Sequence, residues 1–118
     1  MAKIEKGKIF IAADAIDYSE GGVVSKEFIK NSGGTVTLFS FDEGQGLSEH
    51  FAPFDALIQV IDGEMLLNVE GIDNRIKSGE SYIIPAGARH SVKAEKRFKM
   101  LITMIREQST DKISFIKR

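Results

Sequence analysis

Asp62-Gly63 constrains this chain more than any other dipeptide in it. The pair separates the apolar runs Ala56 to Ile61 and Met65 to Val69, and an Asp-Gly step flanked in this way favours a tight turn with positive φ. A β-hairpin is therefore predicted at Asp62-Gly63. The same rhythm of short apolar segments and turn formers runs through the whole sequence. Val23 to Lys30 leads into the loop formers "NSGG" and then "TVTLFSF", where Val36, Leu38 and Ser40 alternate with Thr35, Thr37, Phe39 and Phe41. Further strands are predicted at "SYIIP" from Ser81, at "HSVKA" from His90, and at Phe98 to Arg106. In the last, Phe98, Met100, Ile102 and Met104 form one apolar face, and Lys99, Leu101, Thr103 and Ile105 form a mixed one, as suits a strand lining a barrel. No segment holds a helical period for ten residues, although "AADAIDYSE" has room for one or two turns. Many short strands with frequent glycines predict an all-β sandwich or double-sheet barrel.

At 118 residues the chain reads as one domain, 1–118, long enough to bury a core of its own. Sixteen Lys and Arg against 17 Asp and Glu, without a long block of either sign, argue against nucleic acid or an anionic membrane as the partner. The sequence has no cysteine, so a disulfide framework, a thiolate nucleophile and a thiolate metal site are all excluded. No stretch approaches the roughly 20 apolar residues of a membrane helix, and a cytoplasmic location is expected. The apolar tail "KISFIKR" is expected to pair as an edge strand or to dock on a second subunit.

Two spacings carry more information. From Gly44, five residues lead to His50, one to Ala52, three to Ala56 and six to Gly63; from Gly79, five lead to Pro85, one to Gly87, two to His90 and three to Ala94. These intervals resemble the two motifs of the cupin superfamily, the first at 44–63 and the second at 79–94. Both histidines of the chain fall on motif positions. The resemblance implies a double-stranded β-helix, the cupin jelly-roll barrel. In that family, two histidines and a glutamate of the first motif join the histidine of the second around a divalent metal. Here only His50 and His90 match, since Ala52 and Ala56 stand at the other ligand positions and Ala94 at the closing asparagine.

The metal candidates are thus His50 and His90, with Asp55 considered as a third ligand. Asp55 precedes Ala56 by one position and would face away in a regular strand, but Pro53 nearby can introduce a bulge that turns it inward. Glu49 and Gln59 have the wrong parity without such a device. Catalytic metal sites ordinarily use about three protein ligands, so two readings stay open for the imidazoles. Either they are hydrogen-bonded rings in a partly polar pocket, or they hold zinc, nickel, iron or manganese in a reduced shell completed by water. No catalytic residue is assigned. Arg89 is a candidate anchor for a ligand carboxylate at the barrel mouth, because a guanidinium forks onto carboxylate. Met65, Phe98, Met100, Met104 and Phe39 are expected in the core; where they line a pocket, it suits a small apolar or flat molecule. The function expected is small-molecule binding without turnover; the alternative is a metal-dependent oxygenase, isomerase or decarboxylase. A homodimer is expected, because the apolar strands near both termini offer faces to cover.

Overall fold

The computed structural model describes residues 3–106; the tail "KISFIKR" lies outside them. Period-two alternation becomes strands throughout: β1 Val23–Asn31, β2 Gly34–Phe41, β3 Gly46–His50, β4 Ala56–Asp62, β5 Glu64–Val69, β6 Ile72–Lys77, β7 Ser81–Ile84, β8 His90–Lys93 and β9 Phe98–Ile105. The helical potential of "AADAIDYSE" is spent in one 3-10 turn at Ala12–Asp14. All the ladders are antiparallel. They form a five-stranded sheet in the order β1-β2-β9-β4-β7 and a four-stranded sheet in the order β3-β8-β5-β6.

The two sheets face each other over one apolar layer. Phe41, Ile58, Val60 and Met100 come from the first sheet, and Met65, Leu67, Ile76 and Val92 from the second. Phe41 and Phe98 stack with centroids 4.7 Å apart, which closes one end of this layer. As the alternation in β9 predicts, its odd-numbered residues face outward. There Leu101 joins Leu38, Val24 and Phe28 under the N-terminal segment, whose Ala15 and Ile16 are fully buried. Polar side chains fasten that segment across the sheet, with Lys26 Nζ donating to Ala15 O at 2.9 Å and Ser40 Oγ donating to Asp17 O at 2.8 Å.

The hairpin predicted at Asp62-Gly63 does not form. β4 pairs with β7 and β9, whereas β5 pairs with β6 and β8, so Asp62-Gly63 is a corner at which the chain leaves one sheet and enters the other. Glycine is required there twice over: φ is +74°, and a Cβ would stand 2.5 Å from Arg97 O. The tight hairpin lies one strand later, where Val69 pairs with Ile72 across Glu70-Gly71. Both turn residues have positive φ, 51° and 83°, the signature of a two-residue primed turn. Asp-Gly and Glu-Gly supply the same backbone freedom, and which one joins paired strands depends on partners far away in sequence.

Candidate functional site

Side chains of both sheets line a cavity of about 520 Å³, within the ordinary range for small-molecule sites. Ile58, Met65, Leu67, Ile84 and Met100 are buried at its floor, while Ser25, Glu27, His50 and Pro85 line it from exposed positions and mark its mouth. Met65, Met100, Met104 and Phe39 therefore do both things considered for them, packing in or against the core and lining the cavity. Phe98 serves the core.

His50 ends β3 and His90 begins β8, and the two are cross-strand partners. Their ring centroids are 4.3 Å apart with the planes tilted by 59°. An irregularity in β3 makes this convergence. Leu47 pairs with Val92, but the next pair is His50 with His90, so β3 carries one extra residue. In a regular strand His50, three positions after the inward-facing Leu47, would turn outward; the bulge restores it to the cavity side.

Each ring is fixed by its own chain. His50 Nδ1 lies 2.8 Å from Ser48 O, and His90 Nδ1 lies 3.0 Å from Ala88 O. A carbonyl only accepts, so both Nδ1 atoms are the donors, which leaves Nε2 of each neutral ring with an unshared lone pair. Histidine metal ligands are oriented by the same kind of second bond.

The loops beneath the pair are tied together. Gly87 N donates to Ala52 O at 2.8 Å, and Ala86 N donates to Asp55 Oδ1 at 2.9 Å. Glu70 clamps the start of β8 at both ends of one residue: its N–H donates to Arg89 O at 2.8 Å, and its carboxylate accepts from Arg89 N at 2.7 Å. These contacts set where His90 begins.

Asp55 does not join the imidazoles. Strand parity holds at this point: Ala56 lines the cavity, while Asp55 lines a second groove on the outer face with Leu57, Ile83 and Arg106. Its carboxylate is engaged by Ala86 N, and Pro53 produces no inward turn. Among the described residues, no three His, Cys, Asp or Glu side chains come together as a metal-holding group. Ala52 and Ala56, at the ligand positions, line the cavity with methyl groups. Two imidazoles alone do not fit a resident catalytic metal, which needs about three protein ligands. Arg89 is outside the cavity as well, with its guanidinium 3.6 Å from Glu49 and lying over the Phe51 ring.

A profile of the cupin domain matches residues 37–105, more than half of the chain. The chain belongs to the cupin family. The two-sheet architecture is the cupin double-stranded β-helix, and solved structures agree. A conserved protein of unknown function from Streptococcus pyogenes is 24% identical, with a TM-score of 0.85 over 90% of this chain and 93% of that one. A cupin superfamily protein from Desulfitobacterium hafniense is 23% identical, with a TM-score of 0.80 over 88% and 94%. A cupin 2 conserved barrel domain protein from Leptotrichia buccalis is 40% identical, with a TM-score of 0.78 over 80% of this cupin but 46% of that chain. This chain thus spans less than half the length of the Leptotrichia protein. No curated protein matches. Among the described residues of this cupin, no helix is long and apolar enough to cross a membrane.

Sequence reasoning passed over Ser25, Glu27 and Thr37, which line the cavity from β1 and β2. In "VVSKEFIK" both alternating faces are mixed, one reading Val, Ser, Glu, Ile and the other Val, Lys, Phe, Lys. Nothing local says which face turns inward; the packing of Val24 and Phe28 under the N-terminal segment decides it.

Proposed function

We propose that this cupin binds a small, largely apolar molecule without turning it over, and that His50 and His90 orient it. The observation that carries the reading is the shared cavity itself: about 520 Å³ walled by aliphatic, methionine and phenylalanine side chains, with both imidazoles at one place on its lining. Apolar walls supply affinity in proportion to the area they remove from water, and methionine adapts to irregular shapes. Two Nε2 lone pairs on such a wall give direction, because a hydroxyl or amine on the ligand gains a partner there that water would otherwise supply.

A divalent metal at the same pair is the finer alternative, supported by the Nδ1 anchoring and opposed by the missing third ligand. Such a metal would have His50 and His90 as its protein ligands and would act as a Lewis acid; among the described residues, no third His, Cys, Asp or Glu joins them to complete the shell of an oxygenase, isomerase or decarboxylase. We also propose a homodimer, in which a second copy covers the outer groove where Ile83 and Ile105 stand largely exposed.

The test is a titration with naphthylmethanol, an apolar ring carrying one hydroxyl, followed by calorimetry. Saturable binding to the wild type and about threefold or more weaker binding to the His50→Ala, His90→Ala double variant support the reading, the loss of the one hydrogen bond that the hydroxyl can donate to an Nε2. Absence of binding, or equal binding by the double variant, overturns it. Zinc, nickel, iron or manganese at one equivalent in untagged protein, lost in the same double variant, would favour the metal reading instead.

A further inference from the structure

Among the described residues, the side chains that line the cavity include a single charged carboxylate or ammonium-type group, and it is Glu27. Its place follows from the ladder. Glu27 pairs with Thr37 and Ser25 with Phe39, and all four line the cavity, while Val24 and Phe28 on either side of Ser25 and Glu27 pack under the N-terminal segment on the other face. Directly after Glu27 the β1–β2 register slips, Ile29 pairing with Val36. That bulge also returns Lys30, paired with Thr35, to the face that Glu27 shares with Thr37.

The polar atoms around the mouth are complementary to one kind of ligand. Glu27 offers a carboxylate, His50 and His90 offer Nε2 lone pairs, and Ser25 and Thr37 offer hydroxyls that accept as readily as they donate. Phe39 and Phe54 add aromatic faces, which attract cations. Among the described residues, no lysine or arginine lines the cavity. Lys30 stands 3.9 Å from Glu27 Oε1, with both side chains well exposed, and a pair of that length and exposure is weak. We propose that the ligand is an apolar amine: its hydrocarbon body fills the floor among Ile58, Met65 and Met100, and its ammonium group sits at the mouth against Glu27, within reach of the imidazole lone pairs. Glu27 is then the residue that selects charge, and a carboxylate-bearing molecule of the same shape is rejected by like-charge repulsion.

The proposal rests on the small-molecule reading above and is tested so that the two can fail separately. Naphthylmethylamine, naphthylmethanol and naphthylacetate share a ring and differ in charge. They are titrated into the wild type and a Glu27→Gln variant above the pH range in which histidine titrates, where the amine is still cationic. Expected is an order of amine, alcohol, acid, with the amine about threefold tighter than the alcohol and about tenfold tighter than the acid. In Glu27→Gln the amine weakens about threefold or more and the preference over the acid falls below about threefold. Wild-type binding of the alcohol or acid as tight as the amine overturns the amine inference and leaves the small-molecule reading standing. An amine preference that survives in Glu27→Gln overturns the role of Glu27. Failure of all three probes to bind overturns both.

Discussion

Replacing Gly63 with alanine tests whether Asp62-Gly63 is a corner between sheets or a simple turn, because Gly71 provides a control of matched backbone conformation. Both glycines have positive φ, +74° and +83°, so an alanine at either one carries the left-handed strain of about 1–2 kcal/mol. The surroundings differ. A Cβ at Gly71 meets nothing within 4 Å, whereas one at Gly63 stands 2.5 Å from Arg97 O and 3.1 Å from Phe98 Cα. Both of those are backbone atoms at the start of β9, which cannot rotate away as a side-chain tip would. Overpacking of this kind adds about 1–3 kcal/mol. Gly71→Ala should therefore lose about 1–2 kcal/mol and Gly63→Ala about 2–5 kcal/mol, with Tm falling by roughly 4–8 °C per kcal/mol for a domain of about this size. Urea unfolding monitored by far-UV circular dichroism reads the difference from the midpoints, provided the slopes agree. Equal losses in the two variants would refute the reasoning. They would mean that Gly63 is needed for its φ alone, as in the hairpin the sequence suggests, and that β9 does not press on the corner.

Three further outcomes are expected. Asp55→Ala should cost about 1 kcal/mol of stability, the loss of one acceptor for Ala86 N, and leave naphthylmethanol affinity within about twofold, since the side chain lies in the outer groove; a large loss of binding at unchanged stability would show that Asp55 reaches the imidazoles after all. The Asp42 carboxyl is held below its ordinary value of 3.8, first by the Gly21 N–H and then by Arg97, so its contribution to stability is present above that value and disappears as pH falls through the lower folded one; Asp42→Asn should flatten the acid limb of the stability profile below about pH 4, and an unchanged limb would contradict the assignment. Light scattering at micromolar concentration should give about twice the chain mass of 13.0 kDa, and a single-chain mass would overturn the homodimer.

Strand existence was written in local pattern wherever one face is apolar. The β4 and β9 segments are legible because their inward residues are hydrophobic, as Ile58 and Met100 show, and β2 because Phe39 and Phe41 alternate with Leu38 and Ser40. β3 was not legible. In "GLSEH" only Leu47 is apolar, and four of its five residues are exposed, so neither alternation nor hydrophobicity announces it. The motif intervals single out His50 and His90, which the structure brings together on one cavity, yet the reason they meet is a one-residue bulge that no composition reveals. Parity alone would have sent His50 outward, and the same parity was right about Asp55. Glu27 stayed hidden for a different reason: its strand is covered on one side by the N-terminal segment and on the other by the cavity, and a mixed sequence cannot say which is which. The hairpin error at Asp62-Gly63 has the same origin, because a turn fixes backbone angles while the pairing of β4 with β9 and of β5 with β8 is set by contacts distant in the chain.

The most direct test is a long-range proton–nitrogen NMR spectrum of the histidine rings, recorded above their titration range with and without naphthylmethanol. Both rings should carry the proton on Nδ1, and the two Nε2 resonances should move together along one saturation curve as the probe is added. A ring protonated on Nε2, or a probe that shifts one imidazole and leaves the other still, would contradict a shared cavity read by both.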